Sequence, residues 1–202
     1  SDEEFMAHFD FLIPELYRIT KPGRICAVHC KNLVNYKNRD GRAGLRDFRG
    51  DIIRAFQRHN WTYHSEVTIW KDPVLEMQRT KAHGLLYKQL RKDASFCRQG
   101  LAEYLVIFRK WEGEDIEPVR HTREEFPLID WQDHASPVWM DIRPTDVLNA
   151  EIARDDRDEK HIAPLQLGII ERALRIWTNP GDLVISVYSG MCPEARACKA
   201  SG

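Results

Sequence analysis

The chain has 202 residues, of which 43% are hydrophobic and 30% charged, and a formal net charge of −1. That length and balance support a buried core and exclude a wholly disordered chain. No apolar run reaches the length of a membrane span, and the acidic start SDEEFMAHFD is unlike a secretory signal, so a soluble, cytoplasmic protein is expected.

In chain order, residues 2–19 place Phe5, Phe9, Leu12, Ile13, Leu16 and Ile19 near helical spacing, with Pro14 expected to bend or interrupt the helix. The KPG turn at 21–23 ends it, and Arg24–Cys30 reads as a short buried strand. On that strand Cys26, Val28 and Cys30 share one face and His29 points the other way. No second ligand pair follows at zinc spacing, so no metal is expected, and the five cysteines, odd in number, form no disulfide framework. From Arg18 to Arg58 there are eleven Lys/Arg and three Asp, a balance that suits either a polyanion-binding face or a solvated surface.

Residues 33–47 carry two glycines, several charges and little periodicity, which predicts a mobile loop. Asp47–His59 resumes as a helix with Phe48, Ile52, Ile53 and Phe56 inward. Strict alternation predicts a strand over Trp61–Trp70, and AEYLVIFRKW predicts a second over Ala102–Trp111. The basic segment between them, 71–100, reads as partly helical through GLLYKQLRKD. The two strands are expected to pair antiparallel at a sheet edge, with that segment inserted as a recognition element.

Residues 112–159 contain fifteen Asp/Glu and five Arg and read as an irregular acidic connection. Pro164 then opens a helix whose buried face is Ile169, Ile170, Ala173, Leu174 and Trp177. NPGD makes a turn, and LVISVY, 183–188, reads as a buried parallel strand ending in a loop with Gly190. A strand that ends in a glycine loop leaves backbone N–H groups at the carboxyl edge of a sheet, where open α/β folds bind ligands. The chain thus divides into an α/β half at 1–111, the connection at 112–159 and a helix–strand–loop at 160–202.

DEKHIAPLQLGIIERALRIWTNPGDLVISVYSG resembles the junction of two motifs in the amino-group DNA methyltransferases, the N6-adenine/N4-cytosine class. There a helix start precedes NPGD, a hydrophobic strand and a Phe-x-Gly-x-Gly loop that holds S-adenosylmethionine. FLIPELYRITKPGRICAVHCKN is similar to the helix and strand that follow the catalytic motif, and the strand pair with its insert is similar to the family's terminal pair. The likeness is closest to phage- and prophage-type site-specific enzymes, some of which serve restriction-modification. It implies an α/β, Rossmann-like methyltransferase fold, mostly parallel with an antiparallel edge strand pair and incomplete in this chain. It also implies S-adenosylmethionine as cofactor, double-stranded DNA with a flipped target base as partner, and a homodimer as a further expectation.

Carried over residue by residue, His161, Pro164, Leu165 and Gln166 fall at the helix start that packs around the cofactor. Tyr188 takes the place of the loop phenylalanine, Ser189 the variable position and Gly190 the first glycine. Cys192 stands where the second glycine belongs, Pro193 follows it, and Val187 replaces the usual proline. A side chain at 192 opposes backbone approach to a ligand, and Pro193 removes an N–H. The family's catalytic Asp/Asn/Ser-Pro-Pro-aromatic tetrapeptide is absent. DPVL at 72–75 lacks the second proline and the aromatic residue, and SPVW at 136–139 sits in the acidic region. No catalytic residue is assigned. The motif is expected upstream of Ser1, and the ribose-binding acid beyond Gly202, as in a fragment or a degenerate member.

Candidate DNA contacts are Arg79, Lys81, Lys88, Arg91 and Lys92, which with Arg98 face a single acid, Asp93, over residues 78–98. Arg39 and Arg42, beside Arg46, form a second basic group. Tyr87 and Gln89 are placed to reach base edges or to fill an unstacked site. A solvated amphipathic helix is the plain alternative for this segment. The functional expectation is methyl transfer from S-adenosylmethionine to an exocyclic amino group of DNA, adenine N6 ahead of cytosine N4, with the isolated chain inactive. The alternative, motivated by the VYSGMCPE loop, is a non-catalytic methyltransferase-like DNA-binding or scaffold protein. A different nucleotide-using Rossmann-like enzyme finds no phosphate-binding glycine pattern to support it.

Overall fold

Helix α1 runs unbroken from Asp2 to Ile19, through Pro14. The expected interruption does not occur. A proline in a helix interior costs about 3 kcal/mol, and burial of Phe9 (5% exposed) and Ile13 (0%) on the same face offsets it. The computed structural model describes residues 2–80, 83–112, 117–148, 165–188 and 190–201. Two units are distinguished, 1–117 with 137–140, and 118–136 with 141–202.

In the first unit the KPG turn leads into strand β1, Ile25–Cys30. The segment expected to be a mobile loop is instead a small hairpin, β2 (Leu33–Asn35) against β3 (Gly44–Arg46), around the short helix α2 (Lys37–Asp40). Local polar bonds order it, because Asp40 Oδ2 accepts from the Tyr36 N–H at 2.6 Å and Gly41 closes α2 at φ 76°. Helix α3, Phe48–Arg58, is capped by Asp47, whose carboxylate accepts from the Gly50 N–H. Strand β4 (Thr62–Ile69) follows, then helices α4 (Pro73–Thr80) and α5 (Tyr87–Lys92), with 3-10 turns at His83–Leu85 and Ala94–Phe96. Strand β5 spans Glu103–Arg109.

Beyond helix α6 (Leu128–His134) in the second unit, a two-residue strand, β6 (Val138–Trp139), returns to the sheet of the first. The order is β1-β5-β4-β6. Strand β5 is antiparallel to both β1 and β4, and β4 is parallel to β6. Three strands therefore point one way, and one reversed strand lies among them. The antiparallel pairing of β4 with β5 agrees with the sequence, but its place at an edge does not. Strand β5 is interior, because its run of Leu105, Val106, Ile107 and Phe108 is buried on both faces. On one face, Val106 and Phe108 join Phe9, Ile13, Ile52, Ala55, Phe56 and Trp61 in a single core. The Phe56 and Phe108 rings stack 4.0 Å apart at 9°.

In the second unit helix α7, Leu167–Trp177, buries Leu167, Ile169, Ile170 and Leu174, in line with the predicted apolar face. Ile170 and Leu174 pack with Ala197 and Cys198 of helix α8 (Pro193–Ser201), joined by Leu165. NPGD makes the expected turn: Asn179 N–H donates to Asp182 Oδ2 at 2.8 Å, and Gly181 has φ 81°. The predicted buried strand at 183–188 does not form. Leu183 is 87% exposed, Ile185 55% and Tyr188 64%. Among the described residues no strand offers this segment a hydrogen-bonded partner, and an apolar run without one gains nothing from β geometry. No helix among the described residues is long and apolar enough to cross a membrane.

Candidate functional site

At the carboxyl ends of β1 and β4 a polar cluster stands against the apolar sheet. Glu103, at the start of the reversed β5, accepts from His29 Nε2 at 3.0 Å and pairs with Lys71 Nζ at 2.6 Å. Beside it, Lys31 Nζ reaches Glu76 Oε1 at 3.2 Å. The Lys71 and Glu103 side chains are only 7% and 11% exposed. Burial alone would raise the Glu103 carboxyl, but the hydrogen bonds from His29 and Lys71 overrule it and hold the group at about 2. Sequence reading missed this cluster. Its signals were a lone acid opening an apolar strand and a histidine turned away from the cysteine face of β1. On that other face burial pushes the Cys30 thiol up to about 12, and no metal-binding group occurs among the described residues.

The two near matches to a catalytic tetrapeptide have structural roles. Asp72 caps α4, with its Oδ1 accepting from the N–H groups of Val74 at 2.7 Å and Leu75 at 3.1 Å. Trp139 is 1% exposed on β6.

The basic residues fall into two groups. Most of those between 18 and 58 are neutralised, as Arg18 by Glu15, Arg46 and Arg54 by Asp51, Arg49 by Glu66, and Arg58 by Asp10. Arg39 is held by Asp40 and by the carbonyl of Val34, whereas Arg42 is exposed at the hairpin tip. On the insert, Arg79, Lys88, Arg91 and Lys92 are exposed, and none of them makes an ion pair among the described residues. Lys81 lies outside the described residues.

In the second unit Gln166 is 6% exposed immediately before α7, and its Oε1 is buried without a hydrogen-bond partner among the described residues. A buried acceptor left unmade costs about 1–3 kcal/mol, and a donor-bearing ligand would satisfy it. Leu165 packs between α7 and α8. Past the exposed Tyr188, Gly190 has φ 43° and Cys192 φ 55°. Cys192 thus keeps the left-handed backbone that suits glycine, and its side chain is exposed rather than packed. His161, Pro164 and Ser189 lie outside the described residues. The buried Gln166 acceptor suits a hydrogen-bond donor. Segment 183–188 forms no strand among the described residues, so the loop at Gly190 does not follow the strand the sequence implied.

The same unit has an open cavity of about 390 Å³, lined by His134, Asp141, Arg143, Gly168, Arg172 and Arg175 among others. Arg175 pairs with Asp130 at 2.6 Å and covers the Phe126 ring, while Arg172 pairs with Asp141. Desolvation lowers the pKa of His134 against the opposing pull of the Asp130 carbonyl. Two of the cavity's arginines, Arg172 and Arg175, are thus neutralised by neighbouring carboxylates.

A sheet of three co-directional strands with one reversed strand inside, helices against its face and polar groups at its carboxyl edge defines the α/β class with a methyltransferase-like fold. No protein-family model matches the sequence, and no curated protein shows significant similarity to it. Among solved structures, the chain is similar to a DNA modification methylase from Thermus thermophilus complexed with S-adenosyl-L-methionine. The TM-score is 0.69 at 19% identity, over 96% of this chain and 67% of that one. A selenomethionine derivative of the same protein gives 0.67 at 19% identity, over 96% and 68%. A further crystal structure gives 0.69 at 18%, over 98% and 67%. At this identity the likeness establishes the fold.

Proposed function

We propose that the chain belongs to an S-adenosylmethionine-dependent DNA methyltransferase that modifies an exocyclic amino group, adenine N6 ahead of cytosine N4, and is of the phage type. The observation that carries the reading is the likeness over 96% of the chain to a methylase complexed with that cofactor. Gln166 and Leu165 would seat the amino-acid end of S-adenosylmethionine, with Gln166 Oε1 accepting from its ammonium. Tyr188, Gly190 and the backbone at Cys192 would border it, with His161, Pro164 and Ser189 assigned there by resemblance. When bound, the cofactor supplies a methyl group on a cationic sulfur. The chain's own task is to hold the acceptor base and to keep DNA in register. Arg42, Arg79, Lys88, Arg91 and Lys92 would neutralise phosphates around a flipped base, with Lys81 and the partly neutralised Arg39 beside them.

No residue of this chain is assigned the chemical step, so the isolated chain should bind without turning over. Calorimetric titration with S-adenosylmethionine tests the reading, and absence of binding at millimolar cofactor would sink it. A second reading, a non-catalytic DNA-binding or scaffold protein, is favoured by the exposed 183–188 segment and by Cys192 and Pro193 in the loop. The same titration separates the two, because micromolar binding of S-adenosylmethionine argues against the scaffold reading.

A further inference from the structure

We propose that the α5 turn of the inserted segment enters double-stranded DNA as a wedge, with Tyr87 and Leu90 against the bases and Lys88, Arg91 and Lys92 on the flanking phosphates. This rests on DNA being the substrate proposed above, and it assigns the contact to one element. Tyr87 is 80% exposed and Leu90 53%. Three residues apart on a helix, they share a face, and Lys88 neighbours Arg91 and Lys92 in the same way.

A solvent-facing aromatic and a leucine need a reason, and the charge around them supplies one. Lys88, Arg91 and Lys92 have no acidic partner among the described residues. The nearest acid in sequence, Asp93, is engaged locally, where its Oδ1 accepts from Ser95 Oγ at 2.6 Å and from the Ser95 N–H at 3.1 Å. The turn therefore shows a partner an unopposed positive rim around an apolar tip. Lysine is depleted at the cores of protein interfaces, whereas clustered unpaired cations are the footprint of a polyanion. Aromatic and leucine side chains in such a rim insert between base steps or stack on unpaired bases.

The wedge also has a fixed mount. The Arg98 N–H donates to the Gly84 carbonyl at 3.1 Å, which closes the insert upon itself. At its neck, Lys71 and Glu103 pair, and a side chain added at Gly100 would meet Pro73 Cα at 3.5 Å. That neck is at the carboxyl edge of the sheet, the edge where open α/β folds hold ligands.

The test is fluorescence anisotropy of the full chain with a labelled duplex across a salt series, paired with duplexes containing 2-aminopurine. Replacing three phosphate contacts in the triple variant Lys88→Gln, Arg91→Gln, Lys92→Gln should flatten the slope of log affinity against log salt by about 2.7. Tyr87→Ala with Leu90→Ala should weaken binding about tenfold at an unchanged slope, and should abolish the rise in 2-aminopurine fluorescence that unstacking gives. A triple variant with the wild-type slope overturns the proposal, and so does a Tyr87→Ala, Leu90→Ala variant that still unstacks the probe. Titration of S-adenosylmethionine into the same preparations keeps the two readings apart. A chain that binds duplex as described but no cofactor overturns the methyltransferase reading alone, and one that binds cofactor but no duplex overturns the wedge alone.

Discussion

Lys71 Nζ lies 2.6 Å from Glu103 Oε2, and these two residues stand at opposite ends of the inserted segment. Their contact closes a loop of some thirty residues at its base and ties it to His29 on β1. A buried pair of this kind contributes little over an apolar replacement of both partners, yet the loss of one partner leaves a buried charge.

Lys71→Met should therefore destabilise the chain by about 3–5 kcal/mol, while the paired change Lys71→Met, Glu103→Leu recovers most of the loss. Urea unfolding at pH 7 followed by tryptophan fluorescence reads both values. A single variant as stable as wild type removes the assigned role.

The same carboxylate makes stability depend on acid. Its folded pKa, about 2, is below the ordinary value of 4.5, so the folded state binds the proton less readily than the unfolded one. The contribution is fully present above about pH 4.5 and is lost as pH falls toward 2, amounting to a few kcal/mol. Denaturation midpoints measured from pH 6 to pH 2 should fall in that window for wild type and fall less for Glu103→Gln.

Cys192 occupies φ 55°, a conformation that costs a side chain about 1–2 kcal/mol. Cys192→Gly should leave stability unchanged or raise it slightly, and should tighten S-adenosylmethionine binding. Cys192→Val, branched at Cβ, should do the reverse. Calorimetry on the two variants decides the matter, and equal affinities would show that the loop does not approach the ligand.

The cysteines should separate by access. Cys192 is exposed and Cys30 buried, with the Cys30 thiol held up at about 12 by burial. At pH 8 a thiol reagent should modify Cys192 within minutes and Cys30 only after unfolding. Mass spectrometry of tryptic peptides distinguishes them.

Exposed Leu183 and Ile185 sit on a segment of strand-forming residues without a strand partner among the described residues. Such segments promote self-association. Leu183→Lys with Ile185→Lys should raise the concentration at which the chain stays monomeric in sedimentation velocity, with the melting temperature unchanged.

Most helices and both long strands were legible in the sequence, because their apolar spacing is set by faces that are buried in the structure, as at Phe56 on α3 and Phe108 on β5. The interior place of β5 was also written in its unbroken apolar run, whereas the edge expectation rested on the long insertion joining the two strands. Segment 183–188 shows the opposite failure. Its propensity is strong, yet a strand is a property of a pair, and no strand pairs with it among the described residues. The candidate site was partly legible. The backbone at Cys192 lies in the left-handed region, whereas the neutralisation of Arg49 by Glu66 and of Arg58 by Asp10 depends on acids that only folding brings beside them.

The reversed strand also constrains the order of events during synthesis. Among the described residues strand β1 pairs only with β5, and β5 separates it from β4. Ile25 must therefore wait for Arg109, its register partner, to leave the ribosome. Until then the nascent chain carries two strands with open edges and an exposed aromatic face on α3. Such long-range pairing closes slowly, so a chaperone that shields residues 25–109 during synthesis should matter more to yield than one acting after release.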